Sequence, residues 1–171
     1  LQLELINKAL NKVPAYAEAI SEKGLVHLQL NQLALAAKYC EEALTLEPYI
    51  GILRLNLAKV IMAQNNYDSA LSLVQDAIYL RPVFPEAYHQ RALIYLKMKN
   101  YVQTTNDCLI ALLMNPDKIQ TKADILITKG MAHTELKQAE LASACFSEAR
   151  KLDPYNKRLA AYFSGTKKEQ P

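Results

Sequence analysis

The sequence has no tryptophan, only four glycines and no long apolar run. Because the glycines are isolated, the glycine-rich loops that cradle phosphate groups are excluded. No stretch approaches the roughly 18 consecutive apolar residues of a membrane-spanning helix, so we expect no membrane insertion. The three cysteines, Cys40, Cys108 and Cys145, are widely separated and odd in number, which argues against a disulfide framework or a zinc site. We therefore expect reduced thiols and a cytoplasmic location.

The chain also lacks an excess of charge of either sign. Twenty basic and 17 acidic residues give a net charge of +3 over 171 residues, and no long basic run occurs. Nucleic-acid-binding proteins usually carry a concentrated basic patch, so we expect no nucleic-acid partner. The chain opens inside a helical pattern and without Met, and we interpret it as part of a longer chain or as a processed product.

Prolines occur at nearly constant spacing. Pro14, Pro48, Pro82 and Pro116 follow one another at intervals of 34 residues, and Pro154 follows after 38. A proline cannot continue a helix, because it lacks the backbone donor and its ring clashes with the preceding turn. The prolines therefore mark the ends of helices in a repeated unit.

Small residues keep step with the last four prolines. Alanine stands five residues before each of them, alanine or threonine twelve before, and alanine or glycine twenty-four before. These positions are Ala43, Ala77, Ala111 and Ala149; Ala36, Ala70, Thr104 and Ala142; and Gly24, Ala58, Ala92 and Gly130. Two helices approach closely only where a small side chain lies at the crossing. These three sets of equivalent positions, called small-residue columns below, therefore predict paired helices that cross at fixed points.

Together these columns resemble the tetratricopeptide repeat, a helix–turn–helix unit of 34 residues. The resemblance implies an all-α fold, a right-handed superhelical solenoid of antiparallel helix hairpins. We expect four full repeats at 17–50, 51–84, 85–118 and 123–156, the second helix of a truncated repeat at 1–13, a capping helix at 155–164 and a flexible tail at 165–171. First helices are expected at about 16–30, 50–64, 84–98 and 120–136, and second helices at about 33–46, 67–80, 101–114 and 139–152. The four extra residues before the last repeat predict either a longer first helix or a longer loop there.

The sequence departs from the family pattern in one column. Lys23, Arg91 and Lys129 stand where the family usually has a large apolar residue just before the glycine or alanine. These residues loosen the expected packing without changing the fold assignment.

The resemblance further implies a non-catalytic scaffold that binds a partner peptide or helix in its concave groove. Helical geometry assigns one face of each first helix to that groove. The predicted partner-binding residues are Leu25, Leu28, Ile52, Leu55, Lys59, Met62, Glu86, His89, Leu93, Leu96, Asp124, Ile127 and Met131. An exposed apolar surface of this size usually marks an interaction site, and its acidic members would orient a basic or amphipathic ligand. The competing interpretation is that strong curvature buries some of these residues against each other, or that the C-terminal helix occupies the groove.

One branch of the family binds the acidic tails of heat-shock chaperones through Lys, Asn and Arg side chains. Of the corresponding positions here only Asn56 fits, and Glu86 and Asp124 would repel a carboxylate, so this ligand is not expected. His89 has no neighbouring nucleophile or paired carboxylate in the pattern, and we expect no catalysis, cofactor or metal. His27 and His133 share one slot on the buried stripe and are expected to be packed core residues.

Two other functions stay open. Residues 1–13 carry apolar residues that would normally pack on a first helix, which predicts either self-association through this end or further repeats upstream. The chain would then be a self-assembling structural module. Alternatively, it is the repeat domain of a larger enzyme.

Overall fold

The structure is a computed structural model that describes residues 2–12 and 16–166. Within those residues it consists of ten α-helices and no strand. The helices are α1 (Gln2–Lys12), α2 (Ala17–Gln29), α3 (Leu33–Leu46), α4 (Gly51–Ala63), α5 (Tyr67–Leu80), α6 (Pro85–Lys97), α7 (Tyr101–Leu113), α8 (Ile119–Glu135), α9 (Ala139–Leu152) and α10 (Lys157–Thr166). The chain divides into two compact units at the Pro82–Val83 junction. Unit one holds α1–α5 and unit two holds α6–α10.

Each unit is built from helical hairpins. In unit one, α2 pairs with α3 and α4 with α5, while α1 packs on α2. In unit two, α6 pairs with α7 and α8 with α9, while α10 packs on α8. The eight hairpin helices begin and end within one residue of the helices expected from the sequence.

The turns inside the hairpins share one backbone conformation. At the end of α2, Asn31 adopts a left-handed φ of 57°. The N–H groups of Asn31 and Gln32 then donate to the carbonyls of Leu28 and His27 at 3.0 and 2.9 Å. This is the Schellman arrangement, which satisfies the last carbonyls of a helix and reverses the chain. The same conformation recurs at Asn65, Lys99 and Lys137.

The small-residue columns lie where the two helices of a hairpin meet. A Cβ atom placed on Gly24 would lie 2.6 Å from Sγ of Cys40 and 3.0 Å from the carbonyl oxygen of Ala36. A Cβ atom on Gly130 would lie 2.7 Å from Cε1 of Phe146. The first helix can come this close only because glycine has no side chain, which confirms the predicted crossing points.

Two of the three basic residues that depart from the family pattern, Lys23 and Arg91, contact the second helix of their own hairpin. The Nζ atom of Lys23 lies 4.5 Å from the centre of the Tyr39 ring, a cation–π contact. The Arg91 guanidinium donates to both carboxylate oxygens of Asp107, at 2.7 and 2.8 Å. Asp107 is buried, and this bond raises the pKa of Arg91. Polar pairs therefore take the place of apolar packing here.

The C-terminal end differs from expectation in two details. The first helix of the last hairpin, α8, has 17 residues, whereas the first helices of the other hairpins, α2, α4 and α6, have 13. The four extra residues therefore lengthen the helix and not the loop. The last helix, α10, begins at Lys157, two residues later than expected, because the Asn156 side chain accepts the N–H groups of Arg158 and Leu159 at 3.0 and 3.2 Å. It continues to Thr166, so the first two residues of the predicted tail are helical. The rest of that tail, residue 1 and residue 13 lie outside the described residues.

Candidate functional site

Unit one contains an open groove between α1, α2 and α4. Its volume is about 490 Å³. It is lined by Leu5, Ile6, Tyr16, Glu18, Ala19, Glu22, Ile52, Leu53 and Asn56. The lining comes from α1, from α2 with the preceding Tyr16, and from α4, and α2 packs against both of the other helices.

The floor of the groove is apolar. Leu53 is fully buried beneath it, while Ile6 and Ile52 are half-buried. Leu5 is 59% exposed, which is high for a leucine beside other apolar side chains. Clustered apolar surface of this kind is a feature of binding sites rather than of a solvated helix face.

One wall of the groove is acidic. Glu18 and Glu22 lie one turn apart on α2, and both are exposed. The Tyr16 hydroxyl donates to Oε2 of Glu18 at 2.9 Å, and this bond raises the pKa of Tyr16. Two carboxylates beside an apolar floor favour a ligand that combines apolar and cationic groups.

A chain of polar contacts fixes the inner edge of the groove. Nδ2 of Asn56 donates to Oγ of Ser21 at 3.0 Å, and Nζ of Lys59 donates to Oδ1 of Asn56 at 3.2 Å. Ser21 and Asn56 are both buried. Both ends of the Asn56 amide are thus used inside the protein, so the one residue that matches a chaperone-tail clamp serves to join α2 to α4.

The predicted binding residues of unit one differ in how far they are exposed and in whether they line the groove. Ile52 lines the groove. Leu55 is completely buried, so its prediction as an open surface residue is wrong: it belongs to the core. Leu28 packs on a core cluster that contains Cys40 and Val60. The remaining members of the set, Leu25, Lys59 and Met62, are half-buried.

In unit two, polar side chains from around α10 cover part of the predicted face. Arg158 lies 3.4 Å from Oδ1 of Asp124 and donates to Oγ1 of Thr128 at 3.2 Å. Nδ2 of Asn156 also donates to Oδ1 of Asp124, at 3.3 Å. A ring nitrogen of His89 lies 3.0 Å from the same Thr128 oxygen. Asp124 is therefore already neutralised by α10, which weakens its predicted role in orienting a basic ligand.

Apolar contacts complete this cover. Ile127 is fully buried, and Met131 packs against the same core cluster. That cluster includes Leu159 and Tyr162 of α10. The prediction of Ile127 as an open groove residue is wrong, because the C-terminal helix packs on this face, as the competing interpretation proposed. On α6, Glu86 is exposed, and Leu93 and Leu96 are half-buried.

A second cavity, of about 660 Å³, lies in unit two beside α9 and α10. It is lined by Thr134, Lys137, Ala139, Ala142, Ser143, Phe146, Ser147, Arg150, Tyr162 and Phe163. Three rings form one side of it, with centroids between 5.1 and 5.4 Å apart. The Arg150 guanidinium lies 5.8 Å from the Phe163 centroid. This cavity was not predicted from the sequence, although the adjacent aromatic residues Tyr162 and Phe163 are a signal that could have indicated it.

The chemistry-bearing side chains are used for packing. Burial raises the pKa of Cys40 to about 11 and that of Cys108 to about 12, so neither thiol is an active nucleophile near neutral pH. His27 stacks on Tyr39, and His133 is buried and bonded to Gln138. Over residues 2–12 and 16–166, no three His, Cys, Asp or Glu side chains gather as metal ligands. No helix in the same residues has the length and apolar character needed to cross a bilayer.

Hairpins that stack through small residues and reverse at a left-handed turn define the class of helical repeat proteins. Models of one family, the tetratricopeptide repeat, match residues 27–94 and 123–156, more than half of the chain together. The chain belongs to the tetratricopeptide repeat family, and its fold is an all-α helical repeat solenoid. No curated protein matches it in sequence.

Solved structures with the same fold are distant in sequence. TTC0263, a thermophilic TPR protein of Thermus thermophilus, is 18% identical with a TM-score of 0.82, and the match covers 95% of this chain and 87% of that one. YrrB, a TPR protein described as having an unusual peptide-binding site, is 21% identical with a TM-score of 0.66, covering 95% and 81%. The first TPR of Spaghetti (RPAP3), bound to the HSP90 peptide SRMEEVD, is 20% identical with a TM-score of 0.57, covering 75% and 93%.

Proposed function

We propose that this protein is a protein-interaction scaffold that binds an amphipathic partner segment in the groove between α1, α2 and α4. The observation that carries the proposal is the open apolar floor of that groove beside the carboxylates of Glu18 and Glu22. Apolar side chains of the partner would cover Leu5 and Ile52, and a lysine or arginine would face the acidic wall.

Two solved relatives support a peptide ligand in general terms. One is described as having a peptide-binding site, and the other holds the HSP90 peptide SRMEEVD. That peptide is acidic at its end, whereas the groove of this protein is itself acidic, so we expect a ligand of the opposite charge. Partner contacts at Leu25, Lys59, Met62, Glu86, His89, Leu93 and Leu96 stay a prediction.

A charge reversal tests the proposal. A random peptide library displayed on phage is selected against the protein, and the affinities of enriched peptides are measured by fluorescence polarisation. We expect enriched peptides to pair leucine, isoleucine or phenylalanine with lysine or arginine, and the E18K/E22K variant to bind them at least about tenfold more weakly.

The matched control is E41K/E42K, which makes the same charge change at two exposed positions of α3 away from the groove. It should bind the peptides like the unmodified protein. Equal weakening in both variants would show that the effect is one of net charge, and peptides without basic residues would contradict the proposed chemistry.

The second candidate, a structural module that assembles through its ends, is favoured by one observation: Leu5 of α1 is exposed on an apolar surface.

A further inference from the structure

The first and last helices of the described chain each have the register of half a hairpin. Leu5 and Ile6 of α1 stand nine and eight residues before Pro14. Tyr39 and Cys40 of α3 stand at the same distances before Pro48, so α1 has the register of a second helix. By the same count, α10 is a first helix. Its Phe163 and Ser164 follow Lys129 and Gly130 of α8 by one 34-residue period.

These positions touch inside the complete hairpins. Lys23 lies over the ring of Tyr39, and Gly24 lies against Cys40 in the α2–α3 pair. In the α6–α7 pair, Arg91 binds Asp107. Arg91 occupies the repeat position of Lys23, and Asp107 occupies that of Tyr39. In these hairpins, the first-helix residue at the position of Lys23 contacts the second-helix residue nine before the proline. The glycine or alanine that follows it contacts the residue eight before the proline.

We infer that α10 of one copy docks in the α1–α2–α4 groove of a second copy, so that α10 and α1 complete a hairpin between two molecules. The inference rests on the proposed function of that groove and names its partner. By the register, Phe163 of one copy would meet Leu5 of the other, and Ser164 would meet Ile6. The first pair is apolar on both sides, and the second places a small residue at a helix crossing, as in the internal hairpins.

The surfaces that would meet are open in the structure. Leu5 is 59% exposed and Phe163 is 36% exposed, although both are large and apolar. Ala160, Ala161 and Ser164 are also exposed on α10, and these small side chains would let a neighbouring helix come close, with the exposed Lys157 one turn before Ala161.

The two ends carry opposite charges at the surfaces that would meet. The groove that would receive α10 carries Glu18 and Glu22, and α10 begins with the exposed Lys157. The cavity beside α9 and α10, which would receive α1 of the second copy, carries Arg150, and α1 carries Glu4. Because each end accepts the helix that the other end presents, the contact is heterologous and extends copy by copy into a head-to-tail chain.

A disulfide experiment on the full 171-residue chain tests the pairing. Leu5→Cys and Phe163→Cys are introduced together and the protein is oxidised mildly at pH 8. We expect a ladder of dimers and larger species on a non-reducing gel. The three native cysteines, Cys40, Cys108 and Cys145, are buried and should not contribute, since thiol exchange needs the thiolate. The matched control combines Leu5→Cys with Tyr155→Cys, a residue that is 93% exposed just before α10.

Sedimentation velocity of the unmodified chain supplies an independent readout. We expect the average mass to rise with concentration, and Ser164→Trp to weaken association at least about tenfold by filling the crossing. Ser72→Trp, at an exposed position of α5, should leave association unchanged. Circular dichroism of both variants checks that they are folded.

The outcomes separate this inference from the proposed function. A chain that stays monomeric and forms no ladder, yet still binds basic amphipathic peptides, overturns the inference and leaves the proposed function standing. A chain that does neither overturns both. The chain could also associate while the Leu5→Cys/Phe163→Cys variant cross-links no more than the Leu5→Cys/Tyr155→Cys control. Association would then use another surface, and the inference would be wrong.

Discussion

Replacing Gly24 by alanine should destabilise unit one, even though alanine is the better helix former. The new methyl group would lie 2.6 Å from Sγ of Cys40 and 3.0 Å from the Ala36 carbonyl oxygen. Both distances are below van der Waals contact, and the carbonyl belongs to the backbone of α3, so it cannot rotate away. The two helices must therefore separate by a fraction of an ångström along a tightly packed crossing.

The expected size follows from two opposing terms. Alanine in place of glycine in a helix stabilises by about 1 kcal/mol, and overpacking a core contact by one carbon costs about 1–3 kcal/mol. With two contacts violated, we take the upper part of that range and expect a net loss of about 1 kcal/mol. Ala58 and Ala92, in the same column, show that other hairpins accept the methyl group when their helices are spaced for it.

A double-mutant cycle with Cys40→Ala isolates the contact. Truncating Cys40 alone should cost about 1 kcal/mol through lost burial, but it removes the sulfur that the new methyl group meets. We therefore expect the Gly24→Ala penalty to shrink by about 1 kcal/mol in the Cys40→Ala background, measured by urea unfolding followed at 222 nm. A Gly24→Ala protein that is more stable than the unmodified one, or a penalty independent of residue 40, would refute the packing account.

Three further predictions follow from single contacts. Asp107→Ala leaves the partly buried Arg91 guanidinium without its carboxylate, and we expect a loss of about 2–3 kcal/mol in urea unfolding; a change below about 0.5 kcal/mol would contradict the pairing. Arg158→Ala removes a partly exposed ion pair, so we expect a loss of about 1 kcal/mol and faster amide hydrogen exchange confined to α10; unchanged exchange there would contradict it. Because burial raises the pKa of Cys40 and Cys108 to about 11 and 12, a thiol reagent should label neither at pH 8 in the folded protein, and labelling should rise only as the pH approaches those values or as urea unfolds the chain.

The helix boundaries could be predicted from the sequence because they are fixed by local chemistry. Each hairpin turn has a residue in the left-handed conformation, and asparagine fills that place at Asn31 and Asn65 with little strain. Proline then stops the second helix within a few residues. The start of α10 was misplaced because its cap depends on the Asn156 side chain, whose hydrogen bonds the periodic pattern does not specify.

The binding residues were harder to predict, because periodicity identifies a helix face but not what packs on it. Ser21, Leu55, His89 and Ile127 occupy the same position of four successive repeats. Three of them are fully buried and His89 is half-buried. For Ile127 the reason is visible in α10, which belongs to no full repeat. Only part of the unit-one groove was predicted: Ile52 was in the predicted set, but the contribution of α1 was not, because periodicity does not show that Leu5 and Ile6 lie beside α2 and α4.

The inferred pairing between copies uses the same contact positions as the hairpins inside the chain. In a stacked repeat each hairpin contacts only its neighbours, so a terminal helix that closes the array needs a polar outer side. On α10, Ala160, Ala161, Phe163 and Ser164 are exposed together with the charged Lys157. The outward side of α1 presents Leu5 at the position where Tyr39 and Asp107 meet a first helix inside the array. In the inferred pairing, Leu5 of one copy and Phe163 of another would make the contact that the second and first helices make inside each hairpin.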